Sequence, residues 1–253
     1  LNTSRRFFSV WGIAAIAMVS KATDATALVL TGAPGDKWTY NVTARFESAG
    51  ITSKPMSFQV YHSVIAPSGS SLIFVKEDNN HAGAKSSRPV TLAYNPDGTV
   101  HHIVGDGVTS AAYRLAYLQT IKFPAKAIST GMEWSWRGKT VTEDGSTVVT
   151  VCRYRAAGEE VVKGFGAWRI EIDSHETADG VVPGFPLATL SGTAWIRKSD
   201  GRLLGITDVG SHLPVPGKDS SVTVEMKQTS EFVPELEHFA KPKTQTDVPP
   251  PAL

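Results

Sequence analysis

The chain has 253 residues, 41% of them hydrophobic and 19% charged, with 22 Gly, 15 Pro and one Cys, a globular composition that excludes a disordered, collagenous or disulfide-stapled chain. Lys and Arg number 25 against 24 Asp and Glu, so no broad positive field exists to hold a phosphate backbone, and no nucleic-acid partner is expected.

At the start, Ser4-Arg5-Arg6-Phe7-Phe8 precedes an apolar stretch from Val10 to Val19, the length of a signal-peptide core and too short to span a bilayer. Ala25, Thr26 and Ala27 form a small-residue cleavage pattern, so residues 1–27 are predicted to be a signal peptide cut near Ala27. The expected location is the periplasm or the exterior, with no membrane span in the mature protein. The Ser-Arg-Arg-x-Phe run resembles the twin-arginine export signal, and Lys21 fits that route. An ordinary secretory leader that carries two arginines is the other reading of the same residues. The lone cysteine, Cys152, lies far from the cleavage point, which speaks against a lipid anchor there. Loss of the leader removes Arg5, Arg6 and Lys21 together with Asp24, and the formal charge passes from +1 to −1.

Beyond the leader the pattern is that of strands. Trp38, Tyr40, Val42, Ala44 and Phe46 alternate with polar residues, as do Trp168, Ile170 and Ile172, and Val222, Val224 and Met226. Further strands are predicted over 58–65, 72–77, 90–94, 99–104, 133–141, 147–154, 188–197 and 202–208, about eleven in all. Asp-Gly pairs at 97–98, 106–107, 144–145, 179–180 and 200–201 supply the positive φ angles of tight hairpins. One short helix is predicted over 110–119, where Ala111, Leu115 and Leu118 recur at helical spacing and Ser110 can cap. The fold class is therefore all-β and mainly antiparallel, a curved half-barrel or a sandwich.

Two echoes suggest an internal duplication. Gly35-Asp36-Lys37-Trp38-Thr39-Tyr40 is matched by Gly131-Met132-Glu133-Trp134-Ser135-Trp136, and Phe46 to Gly50 by Tyr154 to Gly158, in the same order. The expected division is a first β half over 28–124, a second over 125–235, and a Pro-rich disordered tail over 236–253.

Chemistry is scarce in the sequence. His101 and His102 are neighbours on a strand and so point apart, and His62, His81, His212 and His238 are isolated. Asp173, His175 and Glu176 beside a turn are the one place where an acid–base or metal site could be drawn, as an exported hydrolase would need. Ser211 lacks a nucleophile elbow, Cys152 reads as a buried strand residue, and no phosphate loop or dinucleotide fingerprint occurs. No catalytic residue, metal or cofactor is expected. What stands out is aromatic placement: Trp38, Tyr40, Phe46, Trp134, Trp136 and Trp168 share the apolar side of the strands, where they either fill a core or line a cavity. One helix cannot cover the apolar face of so many strands, so the sheet must curl, split or hold something.

The leader, the lone helix before the Phe123-Pro124 segment, and the late strand Gly192-Thr193-Ala194-Trp195-Ile196 turning at Asp200-Gly201 into Arg202-Leu203-Leu204 resemble the bacterial periplasmic half-barrels of the lipoprotein-carrier type. The resemblance implies a curved sheet around an apolar cavity that binds an acyl chain or lipid-like molecule without chemistry, with the six aromatics as its lining. The alternative on the same residues is a closed-core sandwich acting as a structural or protein-interaction module in the envelope.

Overall fold

The computed structural model describes residues 27–48, 50–65, 71–80, 89–106, 108–179, 187–216 and 222–239. The predicted leader lies outside the described residues, apart from Ala27.

Twelve strands form one sheet: β1 (Lys37–Ser48), β2 (Ile51–Thr52), β3 (Met56–Ile65), β4 (Ile73–Asn80), β5 (Val90–Tyr94), β6 (Val100–Val104), β7 (Glu133–Val141), β8 (Thr147–Val162), β9 (Phe165–Asp179), β10 (Thr189–Arg197), β11 (Leu203–Pro214) and β12 (Thr223–Phe232). The order is β6-β5-β4-β3-β1-β12-β11-β10-β9-β8-β7, with the short β2 paired to β1, and every pairing is antiparallel. The sheet is open, with β6 and β7 at its edges. Of the two predicted architectures the half-barrel is the one found. A sandwich would need a second sheet, whereas here β1 pairs with β12 and merges the two runs of strands into one.

Alternation directs the side chains as the sequence suggests. Trp38, Tyr40, Val42 and Ala44 of β1 are buried, and the same face continues through Met226 and Phe232 of β12, Leu204 and Ile206 of β11, and Ile170 and Ile172 of β9. Tight turns at Gly98, Gly145 and Gly201 take the positive φ that Asp-Gly pairs allow. The β8–β9 hairpin uses Lys163-Gly164, both at positive φ, and extends the two strands well beyond their predicted ends. Asp106 leads from β6 towards the helix, so that Asp-Gly pair makes no hairpin.

The helix α1 (Ser110–Leu118) lies in the concavity and meets β6 at one edge of the sheet and β7, β8, β9 and β11 on the other side, which requires the sheet to wrap around it. A nine-residue helix is marginal alone, so its stability comes from these contacts. Thr109, not Ser110, is the cap residue, and its side chain makes no capping bond. The reason is that Glu143 in the β7–β8 turn takes the role across space: the Ser110 amide and hydroxyl both donate to its carboxylate, at 2.8 and 2.5 Å. These bonds hold the Glu143 carboxyl below the usual range.

After β12 the chain makes a short 3-10 turn, Pro234–Leu236, and His238 then bridges to Lys37 at the start of β1. Glu237, within the segment expected to be a loose tail, joins a buried cluster. Arg197 donates to Glu237 at 2.5 and 2.9 Å and to Asp200 at 2.5 and 2.8 Å, while Arg202 reaches Asp36 at 2.5 Å and Glu237 at 3.1 Å. The cluster ties the approach to β1, the β10–β11 turn and the segment after β12 into one closed end. Residues 240–253 lie outside the described residues.

Candidate functional site

The concave face is treated differently along its length. Over β7 to β10 it is filled by α1 and the segment that follows. Arg114 on the inner face of α1 makes a bidentate pair with Glu176 of β9, at 2.8 and 2.6 Å, both side chains at 0% exposure, and the Ala188 amide donates to the same carboxylate at 2.9 Å. The Tyr154 hydroxyl donates to the Thr120 carbonyl at 2.7 Å and the Trp134 indole to the Lys122 carbonyl at 2.6 Å, which pins the segment after the helix onto β7 and β8. Leu28, Phe123 and Ile128 complete a core with Ile170, Ile172 and Ile196 beneath them.

Over β1 and β3 to β6 the covering stops, and a cavity remains between α1 and the sheet. It has two lobes, of about 500 and 610 Å³, each within the ~300–1,000 Å³ of small-molecule sites. They share Tyr40, His62, Leu115, Gln119, Ile121 and Leu203, so the lobes form one space under the helix. The smaller lobe is walled by Trp38, Ile73, Val75, Leu92, Val100 and Phe123, and the larger by Val42, Phe46, Phe58, Val60, Leu213 and Met226. The walls are predominantly aliphatic and aromatic, with few polar groups among them.

Those polar groups have distinct environments. His62 of β3 and Glu77 of β4 are cross-strand partners 3.2 Å apart, and the imidazole stands edge-on to the rings of Trp38 and Tyr40 at 5.4 and 5.2 Å. The Tyr40 hydroxyl donates to the Leu203 carbonyl at 3.0 Å, and burial pushes the phenols of Tyr40 and Tyr94 well above their ordinary range. Arg202 lies 4.6 Å over the Trp38 ring at the closed end. Asp208 of β11 stands on the wall of the larger lobe, and burial pushes its carboxyl up to about 7.

Of the six aromatics expected to line a cavity, Trp38, Tyr40 and Phe46 stand on its walls. Trp134, Trp136 and Trp168 are placed elsewhere. Trp134 stacks on Tyr154 under the segment after α1, Trp136 meets Tyr117 edge-on, and Trp168 belongs to the second-half core with Lys198 over its ring. All six lie on the apolar face, as the alternation required; α1 and its following segment occupy the part of that face to which the last three belong.

The drawn hydrolase cluster comes apart. Asp173, His175 and Glu176 sit within β9 instead of beside a turn, so Glu176 points inward to Arg114 while Asp173 and His175 project from the other face. Cys152 is at 0% exposure, its thiol donating to the Tyr117 carbonyl at 3.3 Å, and burial pushes its pKa up, which suits an inert strand residue. No group of three or more metal-ligating side chains comes together among the described residues. Nor is any helix among them long and apolar enough to cross a membrane.

The fold and cavity define an open antiparallel half-barrel with a helix lying in its concavity. No family model matches the chain, and no curated protein matches it. Among solved structures, the hypothetical lipoprotein YmcC of Escherichia coli is similar at 12% identity, over 77% of this chain and 86% of its own, with a TM-score of 0.33. A DUF1329 family protein of Desulfovibrio piger is similar at 10% identity, over 79% and 85%, with a TM-score of 0.26. A LolA superfamily protein of Nitrosomonas europaea is similar at 10% identity, over 80% and 86%, with a TM-score of 0.20.

Proposed function

We propose that this chain is an exported, non-enzymatic envelope protein that holds an apolar ligand, an acyl chain or a similar molecule, between α1 and the concave face of β1, β3 to β6, β11 and β12. The observation that carries this reading is the two-lobed cavity. Its walls are mostly Val, Leu, Ile and aromatic side chains from β1, β3 to β6, β11 and β12, and it persists in a molecule that packs a hydrophobic core against the same face over β7 to β10. Apolar surface left in a cavity of this size is stabilised when a hydrocarbon replaces water against it. The leader-like residues 1–27 support a periplasmic or secreted location.

The test is titration of the delipidated mature protein with an uncharged fluorescent probe such as N-phenyl-1-naphthylamine. Saturable binding near one site per chain is expected, and it should be lost in Val60→Trp, which fills the larger lobe. Absence of saturable binding to delipidated, folded protein would overturn the reading and leave the cavity as a packing defect of a structural module.

A further inference from the structure

The larger lobe contains one group that apolar binding alone does not explain. Asp208 sits in the middle of β11 on the concave face, at 1% exposure, and neither carboxyl oxygen receives a hydrogen bond from the described residues. The other buried acids behave differently: Asp36 faces Arg202, Glu176 faces Arg114, and Glu237 faces both Arg197 and Arg202. A buried carboxyl without a partner is costly, and such groups are rare in folded proteins unless they serve a purpose.

Its surroundings leave room for a partner. Across the strands, Asp208 is registered with Gly192 on one side and Gln228 on the other. A Cβ at Gly192 would clash with the Thr207 carbonyl oxygen and lie 2.8 Å from the Asp208 Cβ, so this glycine lets β10 and β11 approach closely and puts no side chain beside the aspartate. Gln228 and Ser230, also on the lobe wall, make no hydrogen bond to it. The other carboxylate on this lobe's wall, Glu77, is part-exposed and engaged by His62 at 3.2 Å, so Asp208 is the buried carboxyl left for the polar end of a ligand.

Resting on the reading of the cavity as an apolar-ligand site, we infer that Asp208 is the polar anchor of the larger lobe and that the ligand ends in a hydrogen-bond donor. The ligand is an alkyl or acyl chain carrying a hydroxyl, amide or ammonium group, not a free fatty acid. An ionised carboxylate only accepts hydrogen bonds, so it complements N–H and O–H groups and repels a second carboxylate. Burial alone sets its proton affinity, with no neighbouring cation to satisfy it in advance.

The experiment compares chains of equal length with different ends. Dodecylammonium, dodecanol and dodecanoate, each below its micelle concentration, are titrated by calorimetry at pH 8 into delipidated wild type, Asp208→Asn and Asp208→Leu. Circular dichroism and saturable N-phenyl-1-naphthylamine binding report that each variant retains its fold and cavity. Wild type is expected to bind dodecylammonium and dodecanol roughly tenfold or more tightly than dodecanoate, with the difference collapsing in both variants. Equal binding of all three chains to wild type, or a preference that survives Asp208→Asn, would overturn the anchor and leave the apolar-ligand reading intact. Failure of wild type to bind any chain or the uncharged probe would overturn both.

Discussion

The two halves of the sheet begin from the same material and end in different states. From β7 to β10 the concave face is covered by α1 and its following segment, and a buried ion pair locks the helix down. Over β1 and β3 to β6 the strands carry the same alternation, yet their inward side chains face a space. The helix is anchored on one side and only leans on the other, where the Tyr113 hydroxyl accepts the Ile103 amide at 3.2 Å and meets His102 at 2.9 Å. Coverage of the concave face is unequal: β7 to β10 are packed under the helix, whereas β1, β3 to β6, β11 and β12 leave apolar surface facing a cavity.

The sharpest way to break this contrast is at the helix anchor. Arg114→Ala leaves the Glu176 carboxylate buried without its partner and is expected to cost about 3–5 kcal/mol of unfolding free energy, measured by urea denaturation. Arg114→Met combined with Glu176→Gln should recover most of that loss, because no uncompensated charge remains.

Asp208 supplies the next test. Its folded-state pKa of about 7 lies above the unfolded value of 3.8, so the folded state holds the proton more tightly and stability falls as pH rises between those values. The loss is on the order of 4 kcal/mol once pH exceeds the folded value. The difference in stability between wild type and Asp208→Asn should therefore shift in favour of the variant from pH 4 to pH 8. A constant difference across that range would remove Asp208 as the source.

Matched truncations compare the halves directly. Leu118→Ala, in the packed layer under α1, is expected to cost about 3 kcal/mol. Val60→Ala on the cavity wall should cost about 1 kcal/mol or less, since part of its side chain already faces space. Similar losses at both sites would mean that the first half is as tightly packed as the second. A smaller effect is expected at the helix start, where Glu143→Ala removes the acceptor of the Ser110 amide and should cost about 1 kcal/mol. The smallest concerns Cys152: native protein should show no reaction with a thiol reagent such as DTNB, and unfolding should expose one thiol per chain.

Much of this fold was legible in the sequence because alternation and Asp-Gly turns are local signals. The helix was legible too, from Ala111, Leu115 and Leu118. What was not legible depended on distant partners. The β8–β9 hairpin escaped because Lys163-Gly164 lacks the Asp-Gly signature and the register shifts between Ala156 and Gly158. Ser110 has the residue type of a cap, but its amide and hydroxyl are taken up by Glu143, which lies in another turn. The aromatic stripe was visible, but which aromatics face a space was decided by where α1 lies. A usable signal was nonetheless present: Arg114 between Ala111 and Leu115, Glu176 after Ile170 and Ile172, and Asp208 after Leu204 and Ile206 are charges in apolar register. Two of these three pair with each other, and the third is the proposed anchor.

The β1–β12 pairing carries a consequence for how the molecule is made. Tyr40 and Phe232 are cross-strand neighbours, so the seam at the centre of the sheet joins its first strand to its last. The other strands are joined mostly as sequential hairpins, whereas the seam requires closing a loop that holds all the other strands of the sheet. Synthesis delivers β12 last. The unjoined edges of β1 and β11 are therefore the nascent chain's exposed, sticky surfaces until that strand arrives, and the cavity, whose walls come from both sides of the seam, does not exist before it.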